Sequence, residues 1–293
     1  MTDELAKQVA AIADDRRHGA AELARQCLEL LGAAAEHAPA DSSETLCAEL
    51  QRLAAILRAS RPSMTSVSRL VTLWLDRCQT AQTHSLQDQR RFARDTARSL
   101  IQASHAATQA AAAQAADLLA DCRTLVTHSY SSTVCEAITR LHDVQVIFSE
   151  SRPLYEGHRL AQALSQHGIK GTLVTDAQLG AALQHADAVL VGADSILTDG
   201  SLINKTGTLL LAATAVYFDV PCYGCCESHK LRTADMPDIQ LERMNPAELG
   251  APGWDGIAIE NVYFDVTPPD LLSGCITETG LLVFPGYRAP RAS

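Results

Sequence analysis

The sequence predicts an α/β protein, with a helical N-terminal domain followed by a Rossmann-like domain built on a parallel sheet. Over roughly the first 120 residues, apolar side chains recur every three or four positions, as in amphipathic helices. From Arg123 onward, short apolar segments alternate with helical ones, a pattern typical of a parallel sheet wrapped by helices. We therefore expect domains at 1–120 and 121–293.

Breaks between helices are predicted in the first domain where helix-stopping residues cluster. One lies at 39–42 and another at Arg61-Pro62-Ser63. A short helix over 65–78 follows the second break, and a long helix is expected from Ser85 as far as Asp121. Its part over 106–116 is so rich in alanine that intrinsic propensity alone favours a helix.

Six strands are predicted in the second domain, and polar residues follow each of the first five. In an open parallel sheet the ligand crevice lies outside the carboxyl ends of the strands, so these polar residues should converge on one site. For any single residue, capping of the next helix is the simpler explanation. The strands are 124–127, 144–148, 171–174, 188–191, 220–226 and 261–266, and the polar residues are His128, Ser129, Ser149, Glu150, Ser151, Thr175, Asp176, Asp194, Glu227 and Ser228.

The segment from Asp187 to Thr208 concentrates the chemistry of the predicted site. Its strand ends at a glycine and delivers the carboxylate of Asp194 where the chain must turn. Asn204 and Lys205 then supply an amide and a cation. Gly207 precedes an apolar helix whose free N–H groups would favour an anion. The segment thus predicts an acid, a cation and a phosphate site at one strand end.

Further anion ligands are predicted around this crevice. Hydroxyl and N–H groups of Ser131 and Ser132 follow the first strand and could hold phosphate. Ser129 could act as a nucleophile only beside a base, for which His128 is a candidate, although such a histidine is more often structural. Surface ion pairing is the alternative for the arginines. Guanidinium groups are expected from Arg152, with Arg159 nearby, and from Arg61 and the Arg17-His18-Gly19-Ala20 segment in breaks of the first domain.

Composition argues against several classes of partner. The net charge of -10 gives no general attraction to nucleic acid, and no apolar run is long enough to cross a bilayer. Nine cysteines, mostly in apolar runs, are expected to be reduced, which favours a cytoplasmic protein. The Cys222-Tyr223-Gly224-Cys225-Cys226 run is better explained by buried strand cysteines than by a metal, because a second pair of ligands is missing. No metal and no cofactor are expected.

Several motifs resemble one known family. They are the segments 17–20 (RHGA), 127–133 (THSYSST), 150–153 (ESRP), 191–194 (VGAD), 204–208 (NKTGT) and 265–268 (DVTP). They are similar to the regulatory-subunit (alpha, beta, delta) family of eukaryotic initiation factor 2B, which also contains ribose-1,5-bisphosphate isomerase and methylthioribose-1-phosphate isomerase. The resemblance covers nearly the whole chain. It implies a site for a phosphorylated ribose between the two domains, and homo- or hetero-oligomers. For this chain we expect a phosphorylated ribose or a nucleotide as ligand and a homo-oligomer, either a dimer or a hexamer.

The resemblance also implies roles for individual residues. Family isomerases use an aspartate, matched by Asp194, and a cysteine, where this chain has Ser129. A serine hydroxyl ionises far less readily than a thiol, so this departure weakens the proton donor. The remaining residues would bind the substrate: Arg17, Gly19, Ala20, Arg61, Ser131, Ser132, Arg152, Asn204 and Lys205.

Two functional hypotheses follow from different classes. The first is an aldose–ketose isomerase acting on a phosphorylated ribose, with Asp194 as acid and base and with Ser129, assisted by His128, in ring opening. The second is a non-catalytic subunit that senses a sugar phosphate or nucleotide, in which differential affinity for two assemblies carries the signal.

Overall fold

The structure is a computed structural model that describes residues 3–81 and 85–289. Clustering of contacts divides it into two compact units, Met1–Ala106 and Ala107–Ser293. The first unit is helical and the second carries a mostly parallel sheet with helices, which confirms the predicted fold class. The observed division lies inside a long helix, whereas the predicted division at 120 lies just after that helix ends.

The first unit is built from amphipathic helices that bury leucine-rich stripes. Trp74 is fully buried, and its indole N–H donates to the Ala93 carbonyl at 2.9 Å. The predicted breaks are confirmed: Ser42 accepts a hydrogen bond from the Thr45 N–H at the start of one helix, and the chain turns at Arg61 before the next. The helices are α1 (Asp3–Ala13), α2 (Ala20–His37), α3 (Ser43–Ser60), α4 (Thr65–Thr80) and α5 (Leu86–Leu118).

The second unit is organised around a seven-stranded sheet. Its strand order is β10-β9-β7-β4-β1-β2-β3, and each pair is parallel except β9 with β10. The predicted strands at 124–127, 144–148, 171–174, 188–191 and 220–226 are confirmed within about two residues. The observed strands are β1 (Thr124–Thr127), β2 (Gln145–Ser149), β3 (Lys170–Val174), β4 (Ala188–Gly192), β7 (Cys222–Cys225), β9 (Gly274–Thr277) and β10 (Gly280–Leu282).

A second, antiparallel sheet lies beside the first and changes two predictions. It contains β5 (Ser195–Ile196), β6 (Leu202–Lys205) and β8 (Phe264–Thr267) in that order. The strand predicted at 261–266 therefore begins later and does not join the parallel sheet. Asn204 and Lys205 lie on strand β6, which was not among the predicted strands, so their side chains point to opposite faces.

Helices cover both faces of the large sheet and complete two buried cores. One core joins Leu125 and Ile138 to Leu160, and the other joins Val189 to Leu211. Each combines one face of the sheet with the apolar side of a helix, which fixes the strand ends in place. The helices are α6 (Ser132–Ile138), α7 (Glu156–Gln166), α8 (Leu179–Ala182) and α9 (Thr208–Phe218).

The cysteine run lies on the interior strand β7, as predicted, with Cys226 just after its end, and all four residues of that strand are buried. All nine cysteines are free, and the Sγ atoms of Cys226 and Cys275 lie 3.7 Å apart in the core. Over residues 3–81 and 85–289, we find no helix that combines the length and apolar character needed to span a bilayer.

Candidate functional site

The candidate site lies at the carboxyl edge of the large sheet. Strands β1, β2, β4 and β7 are neighbours and parallel, so the residues that follow them leave the sheet at one edge. These include Ser129, Ser151, Asp194 and Glu227. The predicted convergence of distant loops within the second unit therefore follows from the strand order.

The loop after β1 is held in a left-handed turn. Ser129 has φ +67°, and its N–H donates to the Ser151 hydroxyl at 2.8 Å. The Ser131 hydroxyl accepts from the Val134 N–H at 3.3 Å and thereby caps α6. Ser132 is exposed as the first residue of that helix. Ser131 thus acts as a helix cap, the simpler alternative for such residues, while Ser129 is only partly buried at the rim.

His128 is a structural residue of this edge. It is 4% exposed, and its Nε2 lies 2.9 Å from the Thr206 carbonyl, which can only accept a hydrogen bond, so the Nε2–H is the donor. Burial lowers the pKa of His128, so the ring is neutral and its Nδ1 accepts from the Ser149 hydroxyl at 2.6 Å. Both ring nitrogens are therefore engaged away from Ser129. The expectation that His128 serves as a base for Ser129 is not supported by this geometry.

A carboxylate that follows the neighbouring strand β3 fixes the loop after β2. Asp176 accepts hydrogen bonds from the N–H groups of Ser151 and Arg152, both at 2.8 Å. Ser151 itself has φ +60°, so these bonds hold a conformation that a serine rarely adopts. The Arg152 guanidinium is exposed, donates to the Leu249 carbonyl at 2.8 Å and contacts Tyr155.

Asp194 follows β4 and lies next to β6. Its N–H donates to the Ile203 carbonyl at 2.8 Å, so the backbone of Asp194 lies beside that of Asn204. Two residues earlier, a Cβ at Gly192 would lie 2.7 Å from the Ser131 Cβ. Only glycine lets the loop after β1 approach the Asp194 strand this closely. The Asn204 amide is buried and donates to the Thr208 hydroxyl at 3.0 Å.

Lys205 is a buried cation with a carboxylate already against it. Its side chain is 6% exposed, its Nζ lies 2.7 Å from Glu156 Oε1, and the Tyr263 ring centroid lies 4.4 Å away. A buried ammonium needs such a partner, because an unpaired charge costs several kcal/mol of desolvation. The ion pair of Lys205 with Glu156 therefore has no net charge.

The N-terminus of α9 already binds a carboxylate of this chain. The carboxylate of Asp265 accepts from the Gly207 N–H at 2.7 Å and from the Leu209 N–H at 3.2 Å. The prediction that these N–H groups hold phosphate is therefore wrong, because a carboxylate supplied by β8 caps them. Burial raises the pKa of Asp265 to about 6, although both N–H groups act in the opposite direction.

The predicted residues of the helical unit lie close to one another within that unit. The Asp15 carboxylate accepts from the N–H of Arg17 at 2.6 Å, and the Asp15 carbonyl accepts from the Arg61 guanidinium at 2.7 Å. Gly19 precedes α2, and Ala20 begins it with its carbonyl bonded to the Ser66 hydroxyl at 2.9 Å. The two segments singled out in the sequence are thus joined into one cluster.

Comparison with known proteins agrees with this architecture. The family described as the Initiation factor 2 subunit family matches residues 16–283. The chain belongs to the Initiation factor 2 subunit family. A ribose 1,5-bisphosphate isomerase of Pyrococcus furiosus is 31% identical over 284 residues, covering 92% of this chain and 87% of that protein.

Other members of the Initiation factor 2 subunit family carry a translation name. A translation initiation factor eIF-2B subunit 2-like protein of Pyrococcus horikoshii is 38% identical over 175 residues. That match covers 58% of this chain and 61% of the relative, which is less than two thirds of the relative's length. The solved translation initiation factor eIF-2B of Pyrococcus horikoshii OT3 superimposes with a TM-score of 0.84 at 29% identity, covering 97% of this chain and 98% of that chain.

Two charged residues of this family member were not predicted for the site. Glu156 pairs with Lys205 across 49 positions, and Lys230 lies 3.1 Å from Glu227 in the segment after β7. Lys230 is only 4% exposed. A lysine three residues after a glutamate usually indicates a solvated surface pair, and only the packing reveals that this pair is buried.

Proposed function

We propose that the chain is a cytoplasmic aldose–ketose isomerase acting on a phosphorylated ribose, similar to ribose-1,5-bisphosphate isomerase. The main support is the partly buried carboxylate of Asp194, whose backbone lies beside Asn204 at an edge that also carries Ser129. A match to a protein named for that activity over 92% of this chain adds to it. Nine free cysteines suit a reducing compartment.

The proposed chemistry needs one base and one acid. The bond between C1 and the ring oxygen breaks as the oxygen takes a proton, for which Ser129 is the proposed donor. Asp194 removes the proton from C2, which leaves an enol between C1 and C2 with the phosphate still on C1. Asp194 then returns that proton to C1, while the C2 hydroxyl becomes a carbonyl and its proton restores the Ser129 hydroxyl. The substrate and product are isomers, so the step is balanced without any external oxidant or reductant.

Phosphate binding is proposed to depend on side chains rather than on a helix end. Because Asp265 caps α9, the candidates that remain are the guanidinium groups of Arg17, Arg61 and Arg152, together with Lys205. Asn204 is proposed to orient a sugar hydroxyl.

A second candidate function is a sensing subunit that binds the same ligand without converting it. One observation favours it: Ser129 supplies a hydroxyl where the resemblance implies a thiol. This difference weakens proton donation, and hence catalysis, more than it weakens recognition of the ligand.

The Ser129→Cys variant separates the two candidates. For an isomerase, the thiol is the better proton donor, so conversion of ribose 1,5-bisphosphate to its ribulose form should rise by about tenfold or more over the wild type. Ser129→Ala is the matched loss-of-donor control. Binding by calorimetry with no turnover in either the wild type or Ser129→Cys would favour the sensing subunit.

A homo-oligomer is also proposed, on the basis of the exposed face of α9. This helix carries no charged residue, and Leu210 and Tyr217 are 66% and 81% exposed. An apolar helix face of this kind is typical of a protein–protein contact.

A further inference from the structure

The segment after β7 contains a buried ion pair that has no role in the reaction steps proposed above. The Lys230 Nζ lies 3.1 Å from Glu227 Oε2, and the side chains are 6% and 0% exposed. Removing two charges from water costs several kcal/mol per ion, and a hydrophobic pair of similar size would often be as stable. A pair kept at that cost is a candidate for a functional role.

The position of Glu227 is fixed from several sides. Its Oε1 accepts hydrogen bonds from the hydroxyl groups of Thr133 at 2.6 Å and Thr108 at 2.8 Å. The His229 ring lies 4.0 Å from Oε2. Burial alone would raise the pKa of Glu227, but Lys230, His229 and the two hydroxyl groups outweigh burial and hold it below its usual range. Glu227 is therefore a rigid carboxylate that holds the Lys230 ammonium.

The backbone brings Lys230 next to Asp194. Strands β4 and β7 are parallel neighbours, and beyond their ends Leu231 forms a parallel bridge with Ile196. The Arg232 N–H then donates to the Ile196 carbonyl at 2.8 Å, which locks this register. Lys230 and Asp194 each lie within two residues of that bridge, on the two neighbouring segments that it joins.

The electrostatic interactions agree with this register. Burial lowers the pKa of Lys230, but the Glu227 carboxylate, with smaller effects from Cys226 and Asp194, raises it above its usual value. Lys230 is therefore an ammonium at neutral pH. The groups that face it are these two carboxylates and the thiols of Cys225, Cys226 and Cys275.

We propose that Lys230 is a positioning residue for Asp194: its ammonium, anchored by Glu227, keeps Asp194 as the carboxylate that the reaction needs as a base. This role of Lys230 rests on the proposed function, because only a reaction in which Asp194 removes a proton needs Asp194 ionised. In this arrangement Lys230 acts through Asp194 and does not contact the substrate.

The test is a direct titration of the Asp194 carboxyl group by NMR of protein labelled with ¹³C in its aspartates. Asp194→Asn identifies the signal. Glu227→Gln combined with Lys230→Met removes both charges together and should raise the midpoint of the Asp194 titration by about one pH unit or more. Glu227→Gln alone leaves the ammonium without its anchor charge and should lower the midpoint, while Lys230→Arg should leave it close to the wild-type value.

Shifts of opposite sign in two variants cannot result from unfolding, which would bring both midpoints to the ordinary aspartate value. Midpoints that stay within about 0.3 pH unit of the wild type in both folded variants would overturn the proposal. The titration needs no turnover, so its outcome is independent of the proposed function. If the wild type is active, the double variant should also lose kcat at acidic pH with KM unchanged.

Discussion

Lys205 and Lys230 are each 4% exposed, and each forms an ion pair with a glutamate, Glu156 and Glu227 respectively. At the residue scale, the partner determines what each ammonium can do. Glu227 is fully buried and fixed by two hydroxyl groups, so it acts as an anchor. Glu156 is 16% exposed, and no described residue bonds to its Oε2. If Lys205 binds the phosphate in the proposed function, the Glu156 carboxylate would compete with that phosphate for the ammonium.

The Glu156→Gln variant tests that competition. The amide keeps a hydrogen-bond acceptor for Lys205 but removes the negative charge, so we expect the affinity for ribose 1,5-bisphosphate to rise by about tenfold. The free energy of unfolding should fall by about 1–3 kcal/mol, because a buried ammonium loses its counter-charge. Calorimetry and urea unfolding measure the two effects.

Glu136→Gln is the matched control for this substitution, because Glu136 pairs with Arg140 on a solvated helix face. It should change neither the affinity nor, by more than about 0.5 kcal/mol, the free energy of unfolding. Equal affinities in Glu156→Gln and the wild type would show that Glu156 does not restrain Lys205.

Asp265 should make the free energy of unfolding depend on pH, in a direction that its raised pKa determines. Its pKa is raised to about 6 in the folded protein, so between about pH 4 and pH 6 the folded state binds more protons than the unfolded state. The free energy of unfolding should therefore fall as the pH rises through this range, by about 3 kcal/mol at most. Asp265→Asn keeps an N-cap acceptor and should remove this component. The urea midpoint is measured at pH 4.5 and at pH 6.5 for both proteins. If the midpoint changes by the same amount between these pH values in the wild type and in Asp265→Asn, Asp265 is not the source of the pH dependence.

Individual residues of the site were predictable where the pattern is local. Asp194, Asn204 and Lys205 stand next to a strand end and a glycine, which a single sequence reveals. Lys230 could not be found in this way, because its significance comes from burial and from a bridge between Ile196 and Leu231 that joins distant segments. The capping of α9 by Asp265 likewise depends on a pairing between β6 and β8 across some sixty positions.

At the scale of elements, Gly207 joins β6 to α9 against the buried His128. It has φ +110°, and a Cβ there would lie 2.8 Å from His128 Nε2. We expect Gly207→Ala to lower the free energy of unfolding by about 2–4 kcal/mol, because it adds backbone strain and a clash with a buried ring. Urea unfolding followed by circular dichroism measures the loss.

Gly250→Ala is the matched control, because Gly250 also has a positive φ, +65°, but no atom lies within 4 Å of its added Cβ. It should cost about 1 kcal/mol, the backbone contribution alone. Equal losses in the two variants would mean that contact with His128 contributes nothing.

The elements were predicted best where the apolar pattern is continuous. Strands β1 and β4 are buried along almost their whole length and were located within a residue. Strand β6 was not predicted, because it carries the polar residues Asn204 and Lys205, although their partners bury them in the folded chain. Strand formation there depends on pairing with β8, and no local signal reveals that pairing.

For the whole molecule, the exposed side of α9 matters because a single chain leaves its apolar side chains, such as Leu210 and Tyr217, in contact with water. If it forms a contact between copies, Leu210→Glu should shift the mass in solution towards the monomer, because a charge would be buried in an apolar interface. Light scattering after gel filtration measures this mass.

Ile257→Glu, at a loop residue that is 61% exposed, is the control and should leave the mass unchanged. A wild-type protein that is already a monomer would exclude the homo-oligomer.

The fold class of the whole chain followed from the change of periodicity near residue 123, which reflects two different ways of burying apolar surface. The sequence could not reveal which strands neighbour one another, and that order determines which loops meet. It brings the chain after β4 against the chain after β7, and so places Lys230 beside Asp194.

In the proposed function, the Asp194 carboxylate moves a proton between the first two carbons of a phosphorylated ribose. The rate at which purified protein converts ribose 1,5-bisphosphate to ribulose 1,5-bisphosphate, measured by ³¹P NMR for the wild type and Asp194→Asn, tests this role. We expect turnover in the wild type and a loss of about 10²-fold or more in the variant, since general acid–base catalysis contributes at least that much. Equal rates in the two proteins, or no product from the wild type, would rule out this role for Asp194.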